Sequence, residues 1–439
     1  MVWGVRSQPG VTGGGAAIGA SLAPVGDTDA DGYQDLAFTS DEADALGSAH
    51  SLAGPFEGNR TIDSSGAHLG PVGVGTIPNL VVGNRDLTAD DQDDWVVGSA
   101  GHDSWGVVWV LNGAATGTQL EDSAAATLLP DHTAANVSRF GASVLLDDFD
   151  SDGAADLLAT APQTRAWDED STLAGRAFVF LGPLSGQITT ADADVTFAGT
   201  GSTLGRTADW GDLTGDGIPD LVLGAEYDAA GSTETEGGLY LFDGSLTAPA
   251  TLSSSDADHR IGLSSASGDL RRTETSTDLS GDGSPDLVVV AASAASHRVW
   301  VLDDPLGVPF VSDSSISVVD EDSWFGAPVG DVNHDGVGDI ATGGEGTDQA
   351  GYVQLFLGPL DGVSTTEDSA GRVDGLERTS TCDAGPDCEN YGSYLGYTIG
   401  SVGDLDDDMI DDFAASAPHH SLDSTLHGPG VVYLFFGGE

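Results

Sequence analysis

Seven stretches of the chain repeat one pattern of oxygen-bearing residues, with carboxylates favoured at the first, third, fifth and ninth positions. The first stretch offers Asp27, Asp29, Asp31 and Asp35 with the carbonyl of Tyr33, and the third offers Asp148, Asp150, Asp152 and Asp156 with the carbonyl of Ala154. The second carries Asp86, Thr88, Asp90 and Asp94 with the Gln92 carbonyl. In the fourth and fifth a hydroxyl takes the third place: Asp212, Thr214, Asp216 and Asp220 with the Ile218 carbonyl, then Asp278, Ser280, Asp282 and Asp286 with the Ser284 carbonyl. The sixth uses Asp331, Asn333, Asp335 and Asp339 with the Val337 carbonyl, and the seventh Asp404, Asp406, Asp408 and Asp412 with the Ile410 carbonyl.

Such a set suits a hard cation. Ca²⁺ takes six to eight oxygens at about 2.3–2.6 Å, and a tight loop can aim these positions at one point. The reading is therefore Ca²⁺, up to seven ions, with weaker sites where a hydroxyl replaces a carboxylate. The sixth position, where the turn needs a positive φ, is Gly32, Gly153, Gly217, Gly283 and Gly336 in five loops, but Asp91 and Met409 in the second and seventh. Met adopts that conformation reluctantly, which makes the seventh loop the least expected to close. An EF-hand would need Glu at the twelfth position, where Phe38 and Leu223 stand instead. A single acidic Gly-rich turn could be merely a solvated hairpin end, and it is the sevenfold register that argues for a site.

The elements around the loops repeat as well. A short apolar run follows each loop, as in Leu36-Ala37-Phe38 and Leu221-Val222-Leu223, and a Gly-led run such as Gly238 to Phe242 follows that. Runs this short and β-branched are strands. Loop spacings of 59, 62, 64, 66, 53 and 73 residues fit one four-stranded sheet per repeat. The expectation is an all-β fold: a single seven-bladed β-propeller of four-stranded antiparallel blades spanning 1–439, with blades starting near 17, 68, 138, 202, 260, 323 and 394. Its last blade lacks an outer strand while Val2 to Ser7 has no other role, so residues 1–10 are expected to complete it and remove an open edge.

Gly-bearing segments precede most loops: Ile18-Gly19-Ala20-Ser21, Phe140-Gly141-Ala142-Ser143, Leu204-Gly205, Phe325-Gly326-Ala327 and Leu395-Gly396. On these and the acidic loops, the chain resembles the FG-GAP repeats of the integrin α-subunit propeller and their bacterial relatives over essentially its whole length. It departs most at His68-Leu69-Gly70 and Arg260-Ile261-Gly262, which stand far ahead of the second and fifth loops. The resemblance implies a propeller that binds partners on the face opposite its calcium loops.

Charge narrows the partners. The chain has 71 acidic and 13 basic residues, all 13 being Arg, and a net charge of −58, which opposes nucleic acid and anionic membrane. No run of ~18 apolar residues and no leader-like start occur, so no membrane insertion is expected. Cys382 and Cys388 flank a Gly-Pro turn and read as a local disulfide, with two free thiols as the alternative; a disulfide points to export.

No metalloprotease, nucleophile-elbow or phosphate-loop motif is present, so an enzyme is not expected. His419, His420, Asp423 and His427 form a local cluster read as a solvated loop, a transition-metal site being the alternative. Trp95, Trp109 and Trp300 fall in strands and read as core, whereas Trp3, Trp105, Trp167, Trp210 and Trp324 stand near loops as candidate ligand contacts. Three functions are then in view. The first is an extracellular or cell-surface, non-catalytic adhesion module for protein or glycan partners; the second is a self-assembling subunit of a surface layer or filament; the third and weakest is a polysaccharide-active enzyme.

Overall fold

The computed structural model describes the chain except residues 1–5, 13–16, 42–46, 57–59, 62–66, 71–79, 114–115, 120, 132–138, 163–174, 200–201, 226–236, 245–247, 264–268, 277, 293–296, 312–315, 320–322, 345, 347–349, 376–392, 419–429 and 439. Its strands form seven sheets, the blades of a β-propeller. Blade 1 is Ala17–Gly26, Asp35–Asp41, Gly47–Leu52 and Ala67–Leu69, from inner to outer strand. Blade 2 is Leu80–Arg85, Asp94–Ser99, Val107–Leu111 and Ala126–Leu129. Blade 3 is Val144–Asp147, Asp156–Ala161, Arg176–Phe180 and Val195–Ala198, and blade 4 Thr207–Gly211, Asp220–Ala225, Gly238–Phe242 and His259–Gly262.

Blade 5 is Asp269–Ser276, Asp286–Ala292, His297–Leu302 and Ile316–Val319; blade 6 is Ser323–Gly330, Asp339–Gly344, Tyr352–Phe356 and Gly371–Asp374. Blade 7 takes Ile399–Gly403, Asp412–Ala417 and Val431–Phe436 from the end of the chain and Arg6–Thr12 from its start. That terminal strand pairs antiparallel with Val431–Phe436, from Arg6 opposite Phe436 to Thr12 opposite Val431, with one irregularity between Pro9 and Val11. The ring therefore closes as expected, through Arg6–Thr12, while Val2 to Val5 lie outside the described residues.

Two features differ from the sequence reading. His68-Leu69 and Arg260-Ile261 lie in the outer strands of blades 1 and 4, and the inner strands of blades 2 and 5 begin only at Leu80 and Asp269. An apolar-Gly pair is thus ambiguous, because an outer strand packed on its neighbour needs apolar residues as an inner one does. In addition, five sheets gain a fifth strand in parallel, supplied by the connection between the third and outer strands of the next blade. Gly117–Gln119, for example, runs beside Ala67–Leu69, and Gly186–Thr189 beside Ala126–Leu129.

Hydrophobic cores lie between blades rather than within a single centre. Leu36, Phe38 and Leu52 of blade 1 pack on Ala414, Val432 and Leu434 of blade 7, so the seam is sealed by apolar contact as well as by strand pairing. The described residues of the second strands are buried, as in Asp94–Ser99 and Asp156–Ala161, because each sheet is covered on both faces. Trp95, Trp109 and Trp300 are core residues, as expected.

Candidate metal centres

Each acidic loop is the hairpin between the inner and second strands of one blade, and its ninth residue begins the second strand. One hydrogen-bond pattern shapes all seven. In blade 1 the Asp27 carboxylate accepts the N–H groups of Asp31 and Gly32 at 2.9 and 2.8 Å, and Asp31 accepts that of Tyr33 at 2.9 Å. The same bonds recur from Asp86, Asp148, Asp212, Asp278, Asp331 and Asp404 to the fifth and sixth residues of their loops. They leave the first carboxylate fixed in direction before any ion arrives.

Met409 closes its loop like the rest. It adopts φ 69°, as Asp91 does, and donates to Asp404 at 2.7 Å, with its own side chain exposed to solvent. The fourth position is also left-handed, occupied by Ala30, Ala89, Ser151, Gly215, Gly281, His334 and Asp407. This second positive-φ site is not legible in the repeat, because residues with ordinary side chains fill most of it.

The ninth carboxylates are buried: Asp35, Asp94, Asp156, Asp220, Asp286, Asp339 and Asp412 are each at most 1% exposed. One oxygen takes an N–H from the second or third loop residue, for instance Phe149 to Asp156 at 2.9 Å. Burial, followed by neighbouring loop carboxylates and opposed by these N–H donors, pushes Asp94, Asp156 and Asp286 up to about 6 and Asp339 and Asp412 to about 7. Asp35 and Asp220 are raised for the same first reason, and Asp29 is raised by burial and then by Asp31. A buried carboxylate that resists ionisation next to two others is relieved by a proton or by a cation.

In three loops the first, third and ninth carboxylates converge: Asp27, Asp29 and Asp35; Asp148, Asp150 and Asp156; Asp404, Asp406 and Asp412 each bring oxygens within 4.8 Å of one another. The donors are all oxygen, the ligand type of a hard divalent cation rather than of zinc or copper. The fifth residues, Asp31, Asp152 and Asp408, stand outside these groups and turn an oxygen to the N–H of the seventh residue. In blades 2, 4, 5 and 6 the third position holds Thr88, Thr214, Ser280 or Asn333, so these loops offer a neutral oxygen where the other three offer a carboxylate.

Neighbouring loops touch. Asp411 of blade 7 accepts the N–H of Asp331 in blade 6 at 2.9 Å, and Asp93 of blade 2 accepts that of Asp27 in blade 1. Each rests over a glycine, Gly330 or Gly26, where a Cβ would collide with the carboxylate. These inter-blade acids sit at the eighth loop position, which the repeat leaves variable, so sequence reasoning passed over them.

Other candidate residues fare differently. Trp105 is 39% exposed and Trp210 is half-buried, in edge contact with Phe149. Cys382, Cys388, the histidine cluster from His419 to His427, Trp3 and Trp167 lie outside the described residues, as does the side chain of Trp324. Among inner-strand carboxylates, burial and then Glu274 push Asp209 up to about 7, while Glu274 itself pairs with Arg272 at 2.7 Å. Arg272 also donates to the Ile399 carbonyl at 2.8 Å, joining the inner strands of blades 5 and 7.

The chain is thus a seven-bladed propeller with a potential cation loop on every blade. Comparison with known proteins places the repeat. Residues 140–180, which span the first three strands of blade 3, match the FG-GAP repeat. The chain is 29% identical over 230 residues to integrin alpha-5 of Xenopus laevis and 33% identical over 170 residues to integrin alpha-IIb of Mus musculus, covering 49% and 37% of this chain. It is 33% identical over 97 residues, 22% of its length, to phosphatidylinositol-glycan-specific phospholipase D of Bos taurus. These alignments take in 20%, 16% and 11% of the relatives. Among solved structures, the WD40 domain of Toxoplasma gondii coronin superposes with a TM-score of 0.53 at 12% identity, over 96% of this chain and 81% of that one, a likeness of fold alone. Repeat, topology and relatives agree on an FG-GAP, integrin-α-like β-propeller.

Proposed function

We propose that the chain is an extracellular, non-catalytic interaction module whose seven loops bind Ca²⁺ and whose blades are held together by it. The observation that carries this reading is the single hydrogen-bond frame shared by all the loops, with three carboxylates converging within 4.8 Å in blades 1, 3 and 7. A frame set by the backbone, with buried carboxylates held against their preference, stores repulsion that a divalent ion removes. Loop affinities of about 10⁻⁴–10⁻³ M are typical of extracellular modules, which fits sites that are partly exposed and in four blades partly neutral. Integrin α similarity supports a cell-surface setting and protein partners. Among the described residues no helix is long and apolar enough to cross a membrane.

Direct metal analysis after equilibrium dialysis against Ca²⁺ tests the reading. Bound calcium should be highest in wild type and fall by about one ion each in Asp27→Asn, Asp148→Asn and Asp404→Asn. Retention of no calcium above a neutral control protein would sink it. The non-catalytic part is tested with a panel of polysaccharides, where hydrolysis lost on Asp209→Asn would contradict it.

A second reading, self-association, has one specific observation in its favour. The outer strand of blade 6, Gly371–Asp374, is exposed at all four residues and carries no fifth strand among the described residues. An unpaired sheet edge is a template for another chain. Sedimentation in Ca²⁺ tests it: a monomer at all concentrations counts against assembly.

A further inference from the structure

A cleft of about 510 Å³ opens on blade 2, at the end of its second strand remote from Asp94 and the metal loops. Trp105 and Trp109 stand in it with Glu121, Asp122, Thr127 and Gln187, the last supplied by the fifth strand that blade 3 contributes. Its size lies in the ordinary range of small-molecule sites, about 300–1,000 Å³.

Trp105 is held in place by its backbone while part of its surface stays exposed. Its N–H donates to the His102 carbonyl at 2.9 Å, and its own carbonyl accepts the N–H of Phe140, at the start of blade 3, at 2.9 Å. Gly106, next in sequence, has φ 96°, and any Cβ there would strike the Phe140 backbone. Asp103 stands at φ 47° in the same turn. The backbone is thus pinned on both sides of a ring that remains 39% exposed, while Trp109, 1% exposed and in edge contact with His102, forms the floor. A fixed aromatic platform loses little entropy when it is covered.

We infer that this cleft binds an uncharged sugar residue of a glycan. The apolar face of a pyranose ring covers Trp105, its hydroxyls donate to the carboxylates of Glu121 and Asp122, and the Gln187 amide and Thr127 hydroxyl both give and accept. Acidic sugars are disfavoured by charge, since among the described residues no Arg or Lys lines the cleft and the chain carries −58. A quaternary or methylated ammonium would need several exposed aromatic faces around it, and among the described residues lining the cleft Trp105 alone is an exposed large aromatic. The inference rests on the interaction-module reading and names the chemistry of one partner.

Binding is measured on the calcium-loaded full chain by saturation-transfer NMR and calorimetry, using neutral oligosaccharides built on glucose, galactose, mannose and N-acetylglucosamine. Oligouronates and a trimethyl-lysine peptide serve as charged probes. A neutral oligosaccharide should bind wild type and weaken about tenfold or more in Trp105→Ala, with Trp105→Phe intermediate and both variants keeping the wild-type unfolding midpoint in Ca²⁺. Gln187→Ala, outside the pinned turn, should weaken the same ligand. Binding of charged probes only, no binding of any neutral sugar, or neutral binding untouched by Trp105→Ala overturns the inference. Each of those results leaves calcium stabilisation intact as a separate readout, so failure of this site and failure of the calcium reading are told apart.

Discussion

The backbone N–H of Gly358 donates to Oδ1 of Asp339 at 2.8 Å, tying the end of one strand to the last residue of the metal loop beside it. Gly54, Gly113, Gly182, Gly244 and Gly437 do the same for Asp35, Asp94, Asp156, Asp220 and Asp412, at 2.8 to 3.3 Å. Glycine is required there because a Cβ would meet a backbone carbonyl near the end of the loop, that of Gly338 in blade 6 and Pro219 in blade 4. In blade 5 the equivalent residue is Asp304, whose N–H turns to Asp303 at 3.1 Å, and among the described residues Oδ1 of the fully buried Asp286 has no partner.

Asp304→Gly should therefore let the strand end close on Asp286 and raise stability by ~1–3 kcal/mol, the cost of leaving a buried acceptor unsatisfied. Asp304→Ala should not. Gly358→Ala should lose at least as much in blade 6. Guanidinium unfolding at saturating Ca²⁺ reads all three.

The pH dependence of the metal-free protein follows from the ninth carboxylates. Asp339 and Asp412 titrate near 7 and Asp94, Asp156 and Asp286 near 6 when folded, all above the ordinary 3.8. A raised folded pKa means the fold holds the proton more tightly, so their contribution is fully present below about pH 4 and is lost as pH rises through 6 and 7. Melting midpoints of metal-stripped protein should fall between pH 5 and 8. Saturating Ca²⁺ should flatten that fall, because the ion replaces the proton. Metal-free stability that climbs over this range would contradict the assignment.

Inter-blade coupling makes a third prediction. Asp411→Ala removes the acceptor for the Asp331 N–H and should cost ~1–3 kcal/mol while weakening calcium binding in blade 6 as well as blade 7. Double-mutant cycles with Asp331→Asn measure the coupling; additive effects would show that the two loops act alone.

His50 works in the opposite pH direction to the carboxylates. It is buried against Phe38, with Ser48 Oγ at 2.8 Å from Nε2, and burial followed by His68 lowers it to about 3. Its contribution is present above the ordinary 6.5 and lost as pH falls toward 3. His50→Phe should shift acid unfolding of the calcium-free chain to lower pH, monitored by near-UV dichroism.

How much of this could be read from the sequence differs by element. The loops were legible because ligands, spacing and the Gly32-type turn are all local. Blade order and closure by the first residues followed from counting strands. The parallel fifth strands were not, since segments such as Arg60–Thr61 and Gly117–Gln119 are too short to carry a period and are set by the neighbouring blade. Leu69 and Ile261 lie in outer strands rather than opening the next blade, and the sequence does not separate the two because burial on an outer strand and on an inner strand asks for the same residue. Trp105 is one of five candidates in the sequence, and it is the pinned turn around it, not its own residue type, that marks it.

The unfolding midpoint of metal-stripped protein across a Ca²⁺ titration, with Mg²⁺ in parallel at equal ionic strength, tests the central claim most directly. Seven preformed oxygen loops predict a large rise with Ca²⁺ that far exceeds the response to Mg²⁺, each site adding about 2.7 kcal/mol at ~100 times its dissociation constant. An equal response to both ions would mean that the charge of −58 is merely being screened, and the loops would not be calcium sites.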